Sequence, residues 1–213
     1  MEPVKISMRG LAEVACAKPS QKQSKLRRFK FPESEESVGR SNYYVWAISA
    51  IKHHHRDDSE RVDETLSHLW EQAATESDPR KRAKLRNNHR AITDYLKTFG
   101  SRQLEIKPGA RLYFPYQNLI VSAHPDLVAE EKGRPVLIKL NCCKEDFAGG
   151  VTSTILHVLY ESATLKGLEI LPTAVECLQT SSGTRIVGPK TGFPSKSALN
   201  NACKELLELW PAA

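Results

Sequence analysis

Asp126 and Lys139 are the residues whose types and setting point first to chemistry. Lys139 lies inside Pro135-Val136-Leu137-Ile138-Lys139-Leu140, a run apolar enough to predict a strand buried on both faces. An ammonium in such a strand needs a partner anion or a path to water along its own stem. Asp126 is the obvious anion, because a turn at Gly133 folds its strand back against that of Lys139. A strand-end lysine that reaches solvent is the competing reading. Elsewhere the chain has no Gly-x-Ser-x-Gly elbow, no His-Glu-x-x-His, no Cys-x-x-Cys and no dinucleotide fingerprint. Pro189-Lys190-Thr191-Gly192 lacks the spacing of a phosphate loop.

The elements that must position this pair change character near Ser101. Before it the apolar period is close to 3.6, and after it close to two. Residues 1–38 read as a partly flexible N-terminal arm: a short amphipathic stretch from Ile6 to Ala17, then a Lys/Arg/Ser/Gln-rich stretch, a loop or a partly disordered segment, that turns abruptly acidic. Residues 39–100 read as a helical block. Gly39 to His55 carries Tyr43, Tyr44, Trp46, Ile48 and Ile51 and ends in His53-His54-His55, expected as an exposed polar end. Glu60 to Glu76 repeats Val62, Leu66, Leu69 and Trp70 at helical spacing. Asp78-Pro79 is a cap followed by proline at the first helical position, and predicts a third helix ending at Gly100. Residues 101–213 read as an α/β core, with strands at Leu104–Ile106, Arg111–Phe114, Leu119–Val121 and Val136–Leu140. Leu119-Ile120-Val121 is expected to lead into the strand that resumes at Asp126-Leu127-Val128. A helix over Thr152–Ala163, a hairpin around Ser181-Ser182-Gly183 and a last helix from Ser195 or Ser197 to Trp210 complete it. The fold class expected is α/β (α+β), a helical block packed on a mixed sheet flanked by helices.

A Pro125-Asp126 step, a hairpin and an apolar strand carrying Lys139 resemble the core of the PD-(D/E)XK nucleases, most closely their RecB-type branch. The resemblance runs from Leu112 to Trp210 in order of elements and implies a restriction-endonuclease-like core. It implies Asp126 as ligand of a divalent metal, Mg²⁺ or Mn²⁺, and Lys139 as the residue that positions or activates the attacking water. It also implies a second acid two residues before the lysine, where this chain has Leu137. In the RecB-type branch that the chain resembles, the helix after the lysine strand often pairs a glutamine with a tyrosine four residues on. Tyr160 matches, and Leu156 replaces the glutamine. The expected site is therefore degenerate, with catalysis lost or rebuilt on other acids. Glu105, Glu130, Glu131, Glu145, Asp146, Glu71 and Asp94 are the carboxylates available, and His124 could assist a metal or a proton transfer.

With 213 residues and 40% hydrophobic content, the chain can bury a substantial core. A formal charge of +6 and a sequence pI near 9.1 fit a polyanionic partner. Arg80, Lys81, Arg82, Lys84, Arg86 and Arg90 crowd the third helix and are the expected nucleic-acid contacts, DNA ahead of RNA. Lys25, Arg27, Arg28 and Lys30 are a second basic cluster. A second copy of the chain or another protein is the alternative partner, drawn to Tyr43, Tyr44 and Trp46. No run is long and apolar enough to span a membrane and no leader of signal type is present, so a cytoplasmic protein is expected. Five cysteines, odd in number and irregular in spacing, argue against a disulfide framework, and Cys142-Cys143 reads as core packing.

Overall fold

The computed structural model describes residues 2–31 and 43–213. Its N-terminal part is β1 (Val4–Ser7), α1 (Met8–Ala15) and α2 (Pro19–Lys30). Three helices follow: α3 (Val45–His54), α4 (Ser59–Thr75) and α5 (Pro79–Phe99). Then come β2 (Leu104–Ile106), β3 (Tyr113–Tyr116), β4 (Leu119–Ser122), β5 (Leu127–Glu131) and β6 (Arg134–Asn141). The chain closes with α6 (Gly149–Leu165), β7 (Val175–Gln179), β8 (Thr184–Val187) and α7 (Lys196–Leu209). Among the described residues no helix is long and apolar enough to cross a membrane.

A five-stranded sheet, in the order β2-β5-β6-β7-β8, organises the molecule. β5 and β6 form an antiparallel hairpin in which Leu127 faces Ile138. Its turn places Lys132 and Gly133 at φ 53° and 73°, the left-handed pair that matches the twist of a two-residue hairpin. β6 and β7 run parallel, and α6 is the crossover that a parallel pair requires. β8 returns antiparallel to β7, as the Ser182-Gly183 turn predicts.

Alternation along β6 divides the core in two. Val136, Ile138 and Leu140 join Ala47, Ile51, Leu69, Ile92 and Tyr95 in one apolar cluster, so α3, α4 and α5 cover this face. Leu137 joins Leu11, Phe114, Val121, Ile155, Leu159 and Val175 in the other, under α1, α6 and α7. The mixed sheet flanked by helices is as expected. α5 opens as the sequence predicts: Asp78 accepts the backbone N–H groups of Arg80 at 2.8 Å and Lys81 at 3.4 Å, with Pro79 at the first helical position.

Several local expectations are corrected. Leu119–Val121 does not lead into the Asp126 strand. It forms β4 of a separate three-stranded sheet, β1-β4-β3, with β1 parallel to it from the N-terminus. The basic loop after Ala17 is helix α2, nucleated by Pro19 and anchored by Leu26, which is fully buried. One buried residue among so many polar ones leaves little periodicity to read. The acidic half of that stretch lies outside the described residues. The three histidines are not simply exposed. His53 meets Asp58 at 2.8 Å, His54 the Gly100 carbonyl at 2.8 Å and His55 the Tyr95 hydroxyl at 2.7 Å. Each points in its own direction, and each finds its own partner.

Candidate functional site

The hairpin brings Asp126 and Lys139 together. Lys139 Nζ donates to Asp126 Oδ1 at 3.0 Å, and the Leu140 backbone N–H donates to Oδ2 at 2.8 Å. The Asp126 backbone N–H in turn donates to the Ile138 carbonyl at 2.9 Å, which fixes the aspartate at the foot of β5. The side chains are 12% and 22% exposed, so the pair sits at the rim of the core rather than inside it. Of the two readings open to Lys139, the paired one holds.

Lys139 shares its face with Leu137 and Asn141. Leu137 is 2% exposed and belongs to the apolar cluster under α6. Directly across the parallel register lies Cys177, whose thiol is pushed up to about 12 by burial, against a lowering from Lys139 and with Asp126 and Asp146 adding to the rise. Asn141 faces Gln179 and donates to its Oε1 at 2.6 Å, and to the Glu145 carbonyl at 2.9 Å. The Phe147 N–H also donates to Gln179 Oε1, at 3.3 Å. The loop after β6 is thus pinned on both sides of Asp146, an exposed residue at the carboxyl ends of β6 and β7. Gln179 Nε2 is buried without a hydrogen-bond partner. His124 accepts the Leu112 N–H on Nδ1 at 3.2 Å, and burial, then Lys139 and Arg111, lower its pKa.

Most of the other candidate acids are engaged elsewhere. Glu105 and Glu130 pair with Lys107. Glu131 takes Arg102 through both oxygens at 2.9 and 2.8 Å, and Asp94 lies 3.8 Å from Arg90. Among the described residues no group of three or more His, Cys, Asp or Glu is placed to hold a metal ion. Mg²⁺ and Mn²⁺ call for several hard oxygen ligands. One carboxylate bonded through both oxygens, an ammonium and a buried leucine do not fit that requirement. On α6, Leu156 is buried, and Tyr160 packs against Phe193 with ring centroids 5.2 Å apart.

The basic helix is divided in its employment. Arg80, Lys81 and Arg86 are exposed. Arg82 donates to the Glu76 carbonyl at 2.8 Å and closes the corner between α4 and α5. Lys84 lies over the Tyr43 ring at 5.8 Å. Arg90 donates to the Cys142 carbonyl at 3.1 Å, so it braces the end of β6. α5 covers the sheet face opposite Lys139, and Arg90 is a cation of the basic run that bonds to the end of the lysine strand. In the second basic cluster, Lys30 holds the carbonyls of Trp210 and Ala213 at 2.8 and 3.2 Å.

The most heavily bonded polar group on the sheet carries no motif. Glu176 on β7 is 1% exposed. It accepts from Arg102 at 2.9 and 3.4 Å and from Arg185 at 3.1 and 2.5 Å. A buried acid inside Val175–Gln179 is the same signal that singles out Lys139 in its own strand, and it could have been read the same way. No protein-family model matches the chain, and no curated protein matches it in sequence.

Proposed function

We propose that this chain is a PD-(D/E)XK-like domain of RecB type that binds nucleic acid without cutting it. The hairpin with Asp126 at its foot and Lys139 facing it, followed by a helical crossover to a parallel strand, supports the kinship. One observation carries the loss of catalysis. The position two before the lysine, on the lysine's own face, is Leu137, and it is 2% exposed in the core. The pair then serves the fold, tying the foot of β5 to β6. The binding role falls to the exposed cations Arg80, Lys81 and Arg86 on α5, whose neutralisation of phosphates releases counterions.

The test is Mn²⁺ and then Mg²⁺ calorimetry on wild type and Asp126→Ala, with nuclease assays on single- and double-stranded DNA in the same buffers. The reading predicts no specific heat, no cutting and DNA binding that persists in EDTA. Metal-dependent cutting that disappears in both Asp126→Ala and Lys139→Ala would overturn it. A rebuilt site is the second reading, favoured by the loop after β6, which hydrogen bonds at Glu145 and Phe147 pin at the carboxyl ends of β6 and β7 with Asp146 exposed between them. Cutting abolished by Asp146→Asn would select it.

A further inference from the structure

Trp70 is 66% exposed, more than any other large apolar side chain among the described residues. It stands on α4 with its ring 5.6 Å from that of His89 on α5, tilted by 49°. Arg86 precedes His89 by three residues and Arg82 by seven, so the three share one stripe of α5 beside the indole. Arg82 is tied to the Glu76 carbonyl, whereas Arg86 is exposed. Glu60, Asp63 and Glu64 lie at the other end of α4, and Glu71 is rotated by roughly 100° from Trp70 on the helix. The place therefore combines an open aromatic face, a second aromatic ring against it and cations on one flank.

We infer that the nucleic acid held here is single-stranded, or carries unpaired bases, and that a base stacks on Trp70. This rests on the nucleic-acid reading above and adds the strandedness of the ligand. Phosphates alone need only Arg80, Lys81 and Arg86. An exposed indole offers a duplex nothing, because paired bases already spend their faces on one another. A single strand presents a free π-face at every nucleotide and a backbone that can follow the basic stripe. His89, tilted by 49° against the indole, adds a second aromatic edge beside the platform. The pattern is an aromatic platform flanked by phosphate contacts, without base-edge readout, so it predicts tolerance of sequence.

The experiment measures binding of fluorescently labelled oligo-dT, a DNA duplex of the same length and oligo-glutamate by anisotropy in EDTA. The proteins are wild type, Trp70→Ala, Trp70→Phe and the double variant Lys81→Gln/Arg86→Gln. Trp70 is exposed, so its variants should keep the wild-type melting temperature. Stacking is worth about 1–3 kcal/mol per base, so Trp70→Ala should weaken oligo-dT binding by roughly 5- to 150-fold. Trp70→Phe should retain most of the affinity, and duplex binding should not change in either. The double variant should weaken both DNA forms together. Oligo-dT binding unchanged in Trp70→Ala but impaired in the double variant would overturn stacking and leave the nucleic-acid reading standing. Wild type that binds neither DNA form would overturn that reading and this inference with it. Oligo-glutamate bound as tightly as oligo-dT would assign the surface to acidic protein and overturn the inference too.

Discussion

Glu176 and Asp126 are acids on opposite faces of one sheet, the first buried between two arginines and the second held by one lysine at the rim. Glu176 is enclosed by Arg102 and Arg185, and Arg102 also grips Glu131, so the end of α5, β5, β7 and β8 are bound into one charged knot. His55 and Tyr95 stand close by, linked at 2.7 Å. Asp126 has only Lys139 and one backbone N–H, at the rim of an otherwise apolar cluster. In the knot every carboxylate oxygen is bonded and both guanidiniums are shared, so removing one member leaves its partners short of a counter-charge. The Asp126 pair supplies the acid and the lysine on which the proposed nuclease kinship rests, with Leu137 where that kinship calls for a second acid. The sheet has its most heavily bonded carboxylate on the face of Ile138 and Leu140, and a single acid–lysine pair on the face where the resemblance looks for one.

The sharpest way to break this contrast is to remove a member of the knot. Glu176→Gln leaves Arg102 with Glu131 alone and frees the half-exposed Arg185, and should cost about 3 kcal/mol, read by urea unfolding. A loss under ~1 kcal/mol would deny the knot its structural role. Leu137→Glu places an acid two residues before the lysine, but inside packed core. It should cost roughly 3 kcal/mol or more and give no Mn²⁺ heat. A folded variant that gains Mn²⁺ binding would mean that the site is one substitution from activity. Asp126→Ala should cost about 2–3 kcal/mol, less than Glu176→Gln, because the pair is smaller and nearer to water.

A further test is a pH dependence that belongs to the knot's side. Burial, then the charges of His54 and Arg102, lower the His55 pKa from its ordinary value to about 4. The unfolded chain therefore takes up this proton first. The stabilisation is complete above about pH 6.5 and drains as the pH falls toward 4. Glu131, lowered chiefly by its hydrogen bond from Arg102, loses stability in the same direction at still lower pH. Midpoints of urea unfolding measured from pH 7 to 4 should fall for wild type and fall less for His55→Gln. Equal slopes would remove His55 from the account.

How much of this was legible in the sequence follows from what each feature depends on. The β5–β6 turn at Gly133, the cap at Asp78 and the partner of Lys139 are short-range or strand-to-adjacent-strand features, and composition marks them. β1 was missed because four residues pairing in parallel with β4 leave no local signature. The charged knot was missed because Arg102 and Glu176 are 74 residues apart and no spacing rule connects them. Arg90 counts as one more cation in the basic run, yet the fold assigns it to the Cys142 carbonyl. Charge is visible in a sequence, whereas what a charge is bonded to depends on tertiary packing. The same limit applies to Trp70: it fits the apolar stripe of its helix by spacing, and only the packing of α4 on α5 leaves it open.

The central claim, a nuclease-like fold kept for holding nucleic acid, is tested most directly by the salt dependence of DNA binding in EDTA. The account predicts measurable affinity without divalent metal and a linear fall of log K with log salt concentration. It predicts a shallower slope once Arg80, Lys81 and Arg86 are changed to glutamine. No binding in EDTA, with cutting that appears when Mn²⁺ is added, would contradict it and return Asp126 and Lys139 to catalysis.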